Sequence, residues 1–358
     1  MAAHAKLSPS AAERWMTCPG SVHLIDVRNI KSVGGAAANK GTVVHHISEQ
    51  VLKGKTKKLK TFLDKTIDNI VVSQDMIDAA QYYIDFVSSL PGDKFYEQKV
   101  SIEHIIGDCW GTADTVVATA GSLLIADLKS GAGVKVYAQN NRQLLIYALG
   151  AFYKYDLIYD FQTITMVIVQ PPLDHISTWS VSVEELLAFE EELLVAKQKI
   201  EYAKDKFVIT DKGCQWCPAK AVCPAHLEIA NQAAQIDFKT SLPEDLSYWL
   251  DKLPALKGFI AIIEEKAYEK LVAGEVITGF GLGKPAKRRT WSDEDIVRNV
   301  VSQLGLEKYF YKEVLISPAQ CDKLNLDSDM QEAINELISF TESKPSIVRK
   351  DSAKSDFS

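Results

Sequence analysis

The stretch GTADTVVATAGSLLIADLKSG, residues 111–131, places two aspartates and a lysine at the ends of apolar runs. Asp114 opens the run 116–118, while Asp127 and Lys129 close the run 123–125. If Ala120 and Gly121 form a hairpin loop between them, Asp114 falls directly opposite Asp127. Directly opposed side chains have Cβ atoms about 4.5–5.5 Å apart, and like charges there are destabilising. Strand alternation puts Lys129 on the face of Asp127. Two carboxylates so placed repel unless a cation sits between them, and a neighbouring ammonium can then hold a water or a phosphate oxygen. A solvated strand end with a surface ion pair is the competing reading, and this run alone does not decide between them.

A second constellation is CQWCPAKAVC, with Cys214, Cys217 and Cys223. Three thiolates so close in sequence need a fourth ligand to complete a tetrahedral metal site or a cluster. Cys18, just before Pro19-Gly20, is the natural candidate. His226, three residues after Cys223, keeps a zinc site open. One distant cysteine with a tight trio is more typical of an iron–sulfur staple. In either case the site closes a loop of nearly two hundred residues and so penalises the unfolded chain. Cys109 and Cys321 stand alone and read as ordinary buried thiols.

Secondary-structure patterns must position these residues. The segment LSPSAAERWMTCPGS reads as a short helix ended by Pro19-Gly20. A Gly/Ala-rich stretch leads into a helix carrying His45, His46 and Glu49, and apolar spacing predicts another over 72–89. Strand 94–104 and the hairpin follow, then a helix over 138–155, a buried strand at 160–172, the strand STWSVS and a long helix over 183–206. The order implies an α/β domain built on a mixed sheet. After about residue 235 come a helix over 243–272, a strand at 275–280 and two or three small helices between 293 and 340. The division expected is 1–235, a mainly α-helical domain at 236–341, and a polar, disordered tail at 342–358.

The chain has 358 residues, 47% of them hydrophobic and 24% charged, which suits a soluble globular protein. No apolar run reaches membrane-spanning length and the N-terminus lacks a signal-peptide core, so no membrane partner and a cytoplasmic location are expected. The net charge of −7 does not advertise nucleic-acid binding, although local patches matter more than totals. Two such patches exist: KGKTKKLK at 53–60, with Lys57 and Lys58, and KPAKRR at 284–289, with Arg288 and Arg289. The run GFGLGK continues into Pro285 rather than a phosphate loop, so no nucleotide-driven motor is indicated.

Taken together, SAAERWMTCPGS (10–21), GTVVHHISE (41–49), GTAD (111–114), IADLKSG (125–131), QLLIY (143–147) and CQWCPAKAVC (214–223) resemble a known pattern. It is that of the RecB-like, Cas4-like branch of the PD-(D/E)xK nuclease superfamily and, closer still, of the DUF2800 proteins of phages and prophages. The resemblance covers residues 8 to about 226 and continues more weakly through RRTWSDEDIV and LISPAQCDKL. It implies a restriction-endonuclease-like core and DNA hydrolysis with Mg²⁺ or Mn²⁺. Residue by residue it implies His45, Asp114, Asp127 and the Leu128 carbonyl as metal ligands, and Lys129 as the catalytic lysine. Gln143 and Tyr147 match its Gln-x3-Tyr motif, while Cys18, Cys214, Cys217 and Cys223 match four ligands of a [4Fe–4S] cluster. The proline of the superfamily's name is absent, Ala126 standing before Asp127.

The expected function is a metal-dependent DNA exonuclease acting on ends or single strands in phage replication or recombination. A phage annealing protein or a helicase would be its partner, and self-assembly is left open. The alternative of a different class is a non-catalytic nucleic-acid-binding module that retains the fold and the metal cluster. The intact Asp114, Asp127 and Lys129 set argues against it. A third, a structural metal protein of the virion, has no positive support in the sequence.

Overall fold

The structure, a computed structural model, describes residues 5–30, 36–56, 58–235, 246–284, 287–291, 293–310, 317–321, 324, 326–342 and 347–349. In chain order, helices α1 (Ala12–Thr17), α2 (Pro19–Val27) and α3 (Ala36–Leu52) precede a small hairpin, β1 (Thr66–Ile67) and β2 (Ile70–Val71), and helix α4 (Gln74–Ser89). Then come β3 (Asp93–Ser101), the single turn α5 (Glu103–Ile106), β4 (Trp110–Thr119), β5 (Ser122–Leu128), α6 (Arg142–Tyr159), β6 (Thr163–Gln170) and β7 (His175–Ser182). Helices α7 (Val183–Tyr202), α8 (Asp211–Gln215), α9 (Pro224–Ala234) and α10 (Leu246–Val272) follow. Among the described residues no helix is long and apolar enough to cross a membrane.

Contacts divide the chain into units Met1–Phe259 and Ile260–Ser358. The first is built on a five-stranded sheet in the order β3-β4-β5-β6-β7. Every neighbouring pair is antiparallel except β5 and β6, whose parallel pairing follows the crossover through α6. This is the mixed α/β sheet that the element order implies. The β4–β5 hairpin has the expected register, from Thr119↔Ser122 to Thr115↔Ala126. Gly121 takes the left-handed φ of +76° that its tight loop requires.

Each sheet face carries a core. One joins Val116, Leu123, Ile125, Ile164, Met166 and Ile168 to Leu144, Leu149 and Phe152 of α6, and to α1 and α7. The other joins Ala126, Leu128, Val167 and Val169 to Val43 and Ile47 of α3 and to Met76, Ala80 and Tyr83 of α4. Strand β6, apolar on both sides, is covered on both, as its continuous hydrophobic run demands. At the start of α6 the Asn141 side chain accepts the Leu144 N–H at 3.3 Å. Ser182 and Glu185 form a capping box at the start of α7.

The N-terminal segment departs from the expected single helix. Pro19 does not end it but opens α2, and Cys18 stands between the two helices. Proline is tolerated there because the first helical N–H has no partner to lose.

The second unit holds β8 (Phe280–Leu282), β9 (Lys287–Trp291), α11 (Glu294–Gln303), α12 (Glu307–Phe310), α13 (Pro318–Cys321), α14 (Ser328–Asn335), β10 (Ile338–Glu342) and β11 (Ile347–Arg349). Val297, Val301, Leu306, Phe310, Cys321 and Ile334 form its core. The strand expected at 275–280 lies at 280–282. The pairs β9–β10 and β8–β11 add sheet to a region expected to be mainly helical. Strand β11 falls inside the stretch expected as a disordered tail, where polar Ser and Lys neighbours hide the short apolar pair Ile347-Val348. Residues 236–245, next to the expected domain boundary, and 350–358 lie outside the described residues.

Helix α6 reaches the sheet closely at Gly150, where an added Cβ would stand 3.0 Å from Val100 Cβ and 3.1 Å from the Ser101 nitrogen. A Gly150→Val substitution therefore lifts the helix from β3 and costs about 1–3 kcal/mol. Urea denaturation should show a lower midpoint, and an unchanged one would contradict the close contact.

Candidate active site

Alternation along β4 and β5 turns Asp114 and Asp127 to the face of Val116, Leu123 and Ile125, which α6 covers. The two acids occupy the hairpin's open end, one position beyond the last paired residues, Thr115↔Ala126. Asp114 Oδ2 accepts the Leu128 N–H across the strands at 2.7 Å. Asp127 is 3% exposed; its Oδ2 lies 2.8 Å from Lys129 Nζ and its Oδ1 accepts from Gln143 Nε2 at 3.1 Å. Lys129 Nζ also donates to Gln143 Oε1 at 3.1 Å. Gln143 Nε2 lies 3.2 Å from the Tyr147 hydroxyl one helical turn along. Asp127, Lys129, Gln143 and Tyr147, predicted from two separate sequence motifs, are thus one hydrogen-bonded group, and Asp114 stands beside them, held by the Leu128 N–H.

From the opposite sheet face α3 brings His45, whose Nδ1 lies 3.2 Å from Asp114 Oδ1. His46, its neighbour, is exposed. Leu128 lines the same cavity, with Ser48, Tyr83 and Tyr96. Tyr83 anchors α4 to this strand end, its hydroxyl lying 2.8 Å from Thr115 Oγ1 and 3.2 Å from the Ala126 carbonyl.

One site residue escaped the sequence. On β3, Tyr96 pairs with Thr115 and Gln98 with Ala113, so Glu97 stands between them, abreast of Asp114. Its backbone is left-handed, φ +48°, a conformation uncommon for a residue with a Cβ. Ligand atoms of His45, Glu97 and Asp114 all lie within 4.8 Å of one another. The run KFYEQKVSIEH holds Glu97 and Glu103 with nothing to rank them. The register with β4 would have singled out Glu97. That register passes through α5 rather than a tight turn, so the sequence does not reveal it.

Charge in this space is unbalanced toward the negative. Burial opposes ionisation of Asp114, yet His45 beside it and the Leu128 N–H hold its pKa below the ordinary carboxylate value. Burial and the nearby Asp114 push Asp127 up despite Lys129. Burial, then Asp114, push Glu97 up to about 7. Burial works against the charges of His45 and Lys129, but Asp114 lifts His45 to about 9 and Asp127 lifts Lys129. Three carboxylates with two cations leave a potential that favours a further positive charge. Oxygen and imidazole donors suit a divalent metal ion.

The cysteines form a second site. Cys18, Cys214, Cys217 and Cys223 line one cavity between the α1–α2 junction and the α8–α9 segment. Cys18 Sγ accepts the Val208 N–H at 3.4 Å. The backbone at Ala219 faces Cys217, and that at Ala225 and His226 faces Cys223, in each case lowering the thiol pKa against the effect of burial. Amide hydrogens directed at sulfur favour the thiolate, the form that binds metal. Cys109 is fully buried and pushed up to about 12, and Cys321 is buried in the second unit, as ordinary thiols would be.

Lys57 lies outside the described residues, and Lys58 is exposed. Arg288 and Arg289 lie on β9 of the second unit, paired with Thr341 and Phe340.

A family model described as "Protein of unknown function (DUF2800)" matches residues 4–355. Among solved structures, the protein SSO0001 is 15% identical, with 60% of this chain and 84% of that chain covered at a TM-score of 0.34. A "Putative exonuclease" from Eubacterium rectale is 10% identical, with 58% and 86% covered at a TM-score of 0.37.

The raised pKa of His45 sets the behaviour of the metal-free protein. Its ion pair with Asp114 stabilises the fold fully below about pH 6.5 and fades as pH rises through about 9. An NMR titration of His45 in EDTA should give a midpoint near 9. Added Mg²⁺ should move it downward by competing with the proton. A midpoint near 6.5 that ignores Mg²⁺ would contradict this arrangement.

Proposed function

The chain belongs to the DUF2800 family, and we propose that it is a metal-dependent DNA nuclease of the PD-(D/E)xK type, acting on DNA ends or single strands. One observation carries the proposal: His45, Glu97 and Asp114 bring ligand atoms within 4.8 Å of one another at the sheet end where Asp127 pairs with Lys129. Mg²⁺ or Mn²⁺ fits the donor set, and the imidazole tilts preference toward Mn²⁺. His45, Asp114, Asp127, Glu97 and the Leu128 carbonyl are the residues that would hold it.

A phosphodiester repels hydroxide, so hydrolysis needs a water of lowered pKa and a positive charge beside the phosphoryl oxygens; a bound divalent ion supplies both. The residues do the rest. Lys129 offers a compact ammonium to the attacking water or to charge growing on the phosphate. Gln143 touches both Lys129 and Asp127, so it fixes the spacing between the acid and the ammonium. Tyr147 buttresses Gln143. No carboxylate needs to take part as a nucleophile.

For the cysteine site we propose a [4Fe–4S] cluster. Four thiols from two distant segments around one cavity, with amides directed at sulfur, support a metal–thiolate centre. Zinc is the alternative, and metal analysis separates the two. DNA is the proposed substrate, and an annealing protein or a helicase the proposed partner.

Purified protein incubated with end-labelled single- and double-stranded DNA should cleave with Mn²⁺ and not with EDTA. Asp127→Asn or Lys129→Ala should each lower the rate roughly a hundred- to a thousandfold. Binding without cleavage under all metals, or cleavage undiminished in both variants, would overturn the nuclease reading. A separate expectation concerns Glu97→Gln, which should raise the Mn²⁺ concentration for half-maximal activity about 10- to 100-fold. An unchanged metal requirement would remove Glu97 from the ligand set.

A further inference from the structure

The cysteine cavity carries a charge pattern of its own. Besides the four thiols its lining includes Arg14, Lys220 and His226 and, among the described residues, no aspartate or glutamate. Arg14 bonds only to a neutral partner, the Ser21 hydroxyl at 3.1 Å, and among the described residues no carboxylate lies in ion-pair reach of it. Once ionised, the sulfurs of Cys217 and Cys18 act on its charge. The Lys220 side chain extends over Gly258 of α10, where an added Cβ would stand 2.4 Å from its Nζ. His226 is 1% exposed, and neither ring nitrogen makes a well-formed hydrogen bond; the backbone at Ala255 is the polar group that faces it.

With neutral thiols this would be a costly place for charge, because partly buried cations would face sulfur without an anion. With four thiolates around a core of two positive charges the centre carries two negative charges. Arg14 and Lys220 supply two positive ones. The His226 imidazole, lining the same cavity, has a second ring nitrogen that would offer an N–H to sulfur.

We propose that Arg14, Lys220 and His226 form the counter-charge and hydrogen-bonding shell of the cysteine-bound cluster and hold its reduction potential up, so that the centre takes an electron within the intact fold. The inference rests on the iron–sulfur reading above. A bound cluster reduced by a one-electron donor such as dithionite would gain one negative charge, with no bond in the protein formed or broken. Cations nearby stabilise the added charge, and N–H donors to sulfur act in the same direction.

The test uses the whole chain, purified anaerobically, with iron and zinc measured and the absorbance near 400 nm followed during a dithionite potentiometric titration. Arg14→Gln and Lys220→Gln should each shift the midpoint potential downward at unchanged iron content, and Arg14→Lys should restore most of the loss. His226→Phe should shift it the same way. Should Arg14→Gln fail to fold, Lys220→Gln on the half-exposed rim gives the same readout. Iron bound at wild-type level with the potential unmoved in all variants would overturn this inference alone. A wild-type protein with zinc only, or with no metal, would overturn the cluster reading and the inference with it.

Discussion

Three carboxylates from three adjacent strands are buried near one another where the sheet runs out, Glu97 and Asp114 closest together and Asp127 held by Lys129, and the rest of the first unit is arranged to keep them there. Asp114, Asp127 and Glu97 repel, and burial strengthens that repulsion because the interior screens charge poorly. Two of them hold their protons above the ordinary range even with Lys129 and His45 alongside. A fold does not concentrate unbalanced charge in its interior without a compensating partner. Oxygen and imidazole donors suit a hard divalent cation, the partner proposed for them.

The scaffold supplies the rigidity such a site needs. Parallel pairing of β5 with β6 extends to the Lys129 N–H, which donates to the Val169 carbonyl at 2.8 Å, so the lysine starts from a fixed backbone. Both faces of that strand pair are covered by core, which leaves Asp127 little room to relax. The N-terminal segment contributes from the far side. Arg142, the residue before Gln143, contacts Glu13 and Thr17 of α1 at 3.3 Å, and Pro9 packs with Tyr147 beside Gly111. Cys18 sits at the end of that same helix. A metal centre at the cysteines, as proposed, would therefore also steady the helix that braces α6.

The parts of this site visible in the sequence are those set by short-range rules. The turn at Ala120-Gly121 dictates the β4–β5 register, and that register brings Asp114 to Asp127. Helical spacing likewise puts Gln143 over Tyr147. The cysteine trio announces itself by crowding. Glu97 stayed hidden because its place depends on a strand pairing interrupted by the turn of α5, which fixes no register. Arg14 stayed hidden because its significance lies in what surrounds it, four thiols and no acid. Pro19 misled because the same residue that stops one helix can start another. In the second unit, short strands among polar residues offered no periodicity to follow.

Anomalous diffraction from crystals of the protein soaked in Mn²⁺ would locate any bound metal. A manganese peak should stand at the open end of the β4–β5 hairpin, within about 2.0–2.6 Å of oxygens from Asp114 and Asp127 and near the His45 imidazole. At saturating Mn²⁺, no peak in that space, or peaks confined to surface carboxylates, would show that the acids serve some purpose other than holding a metal.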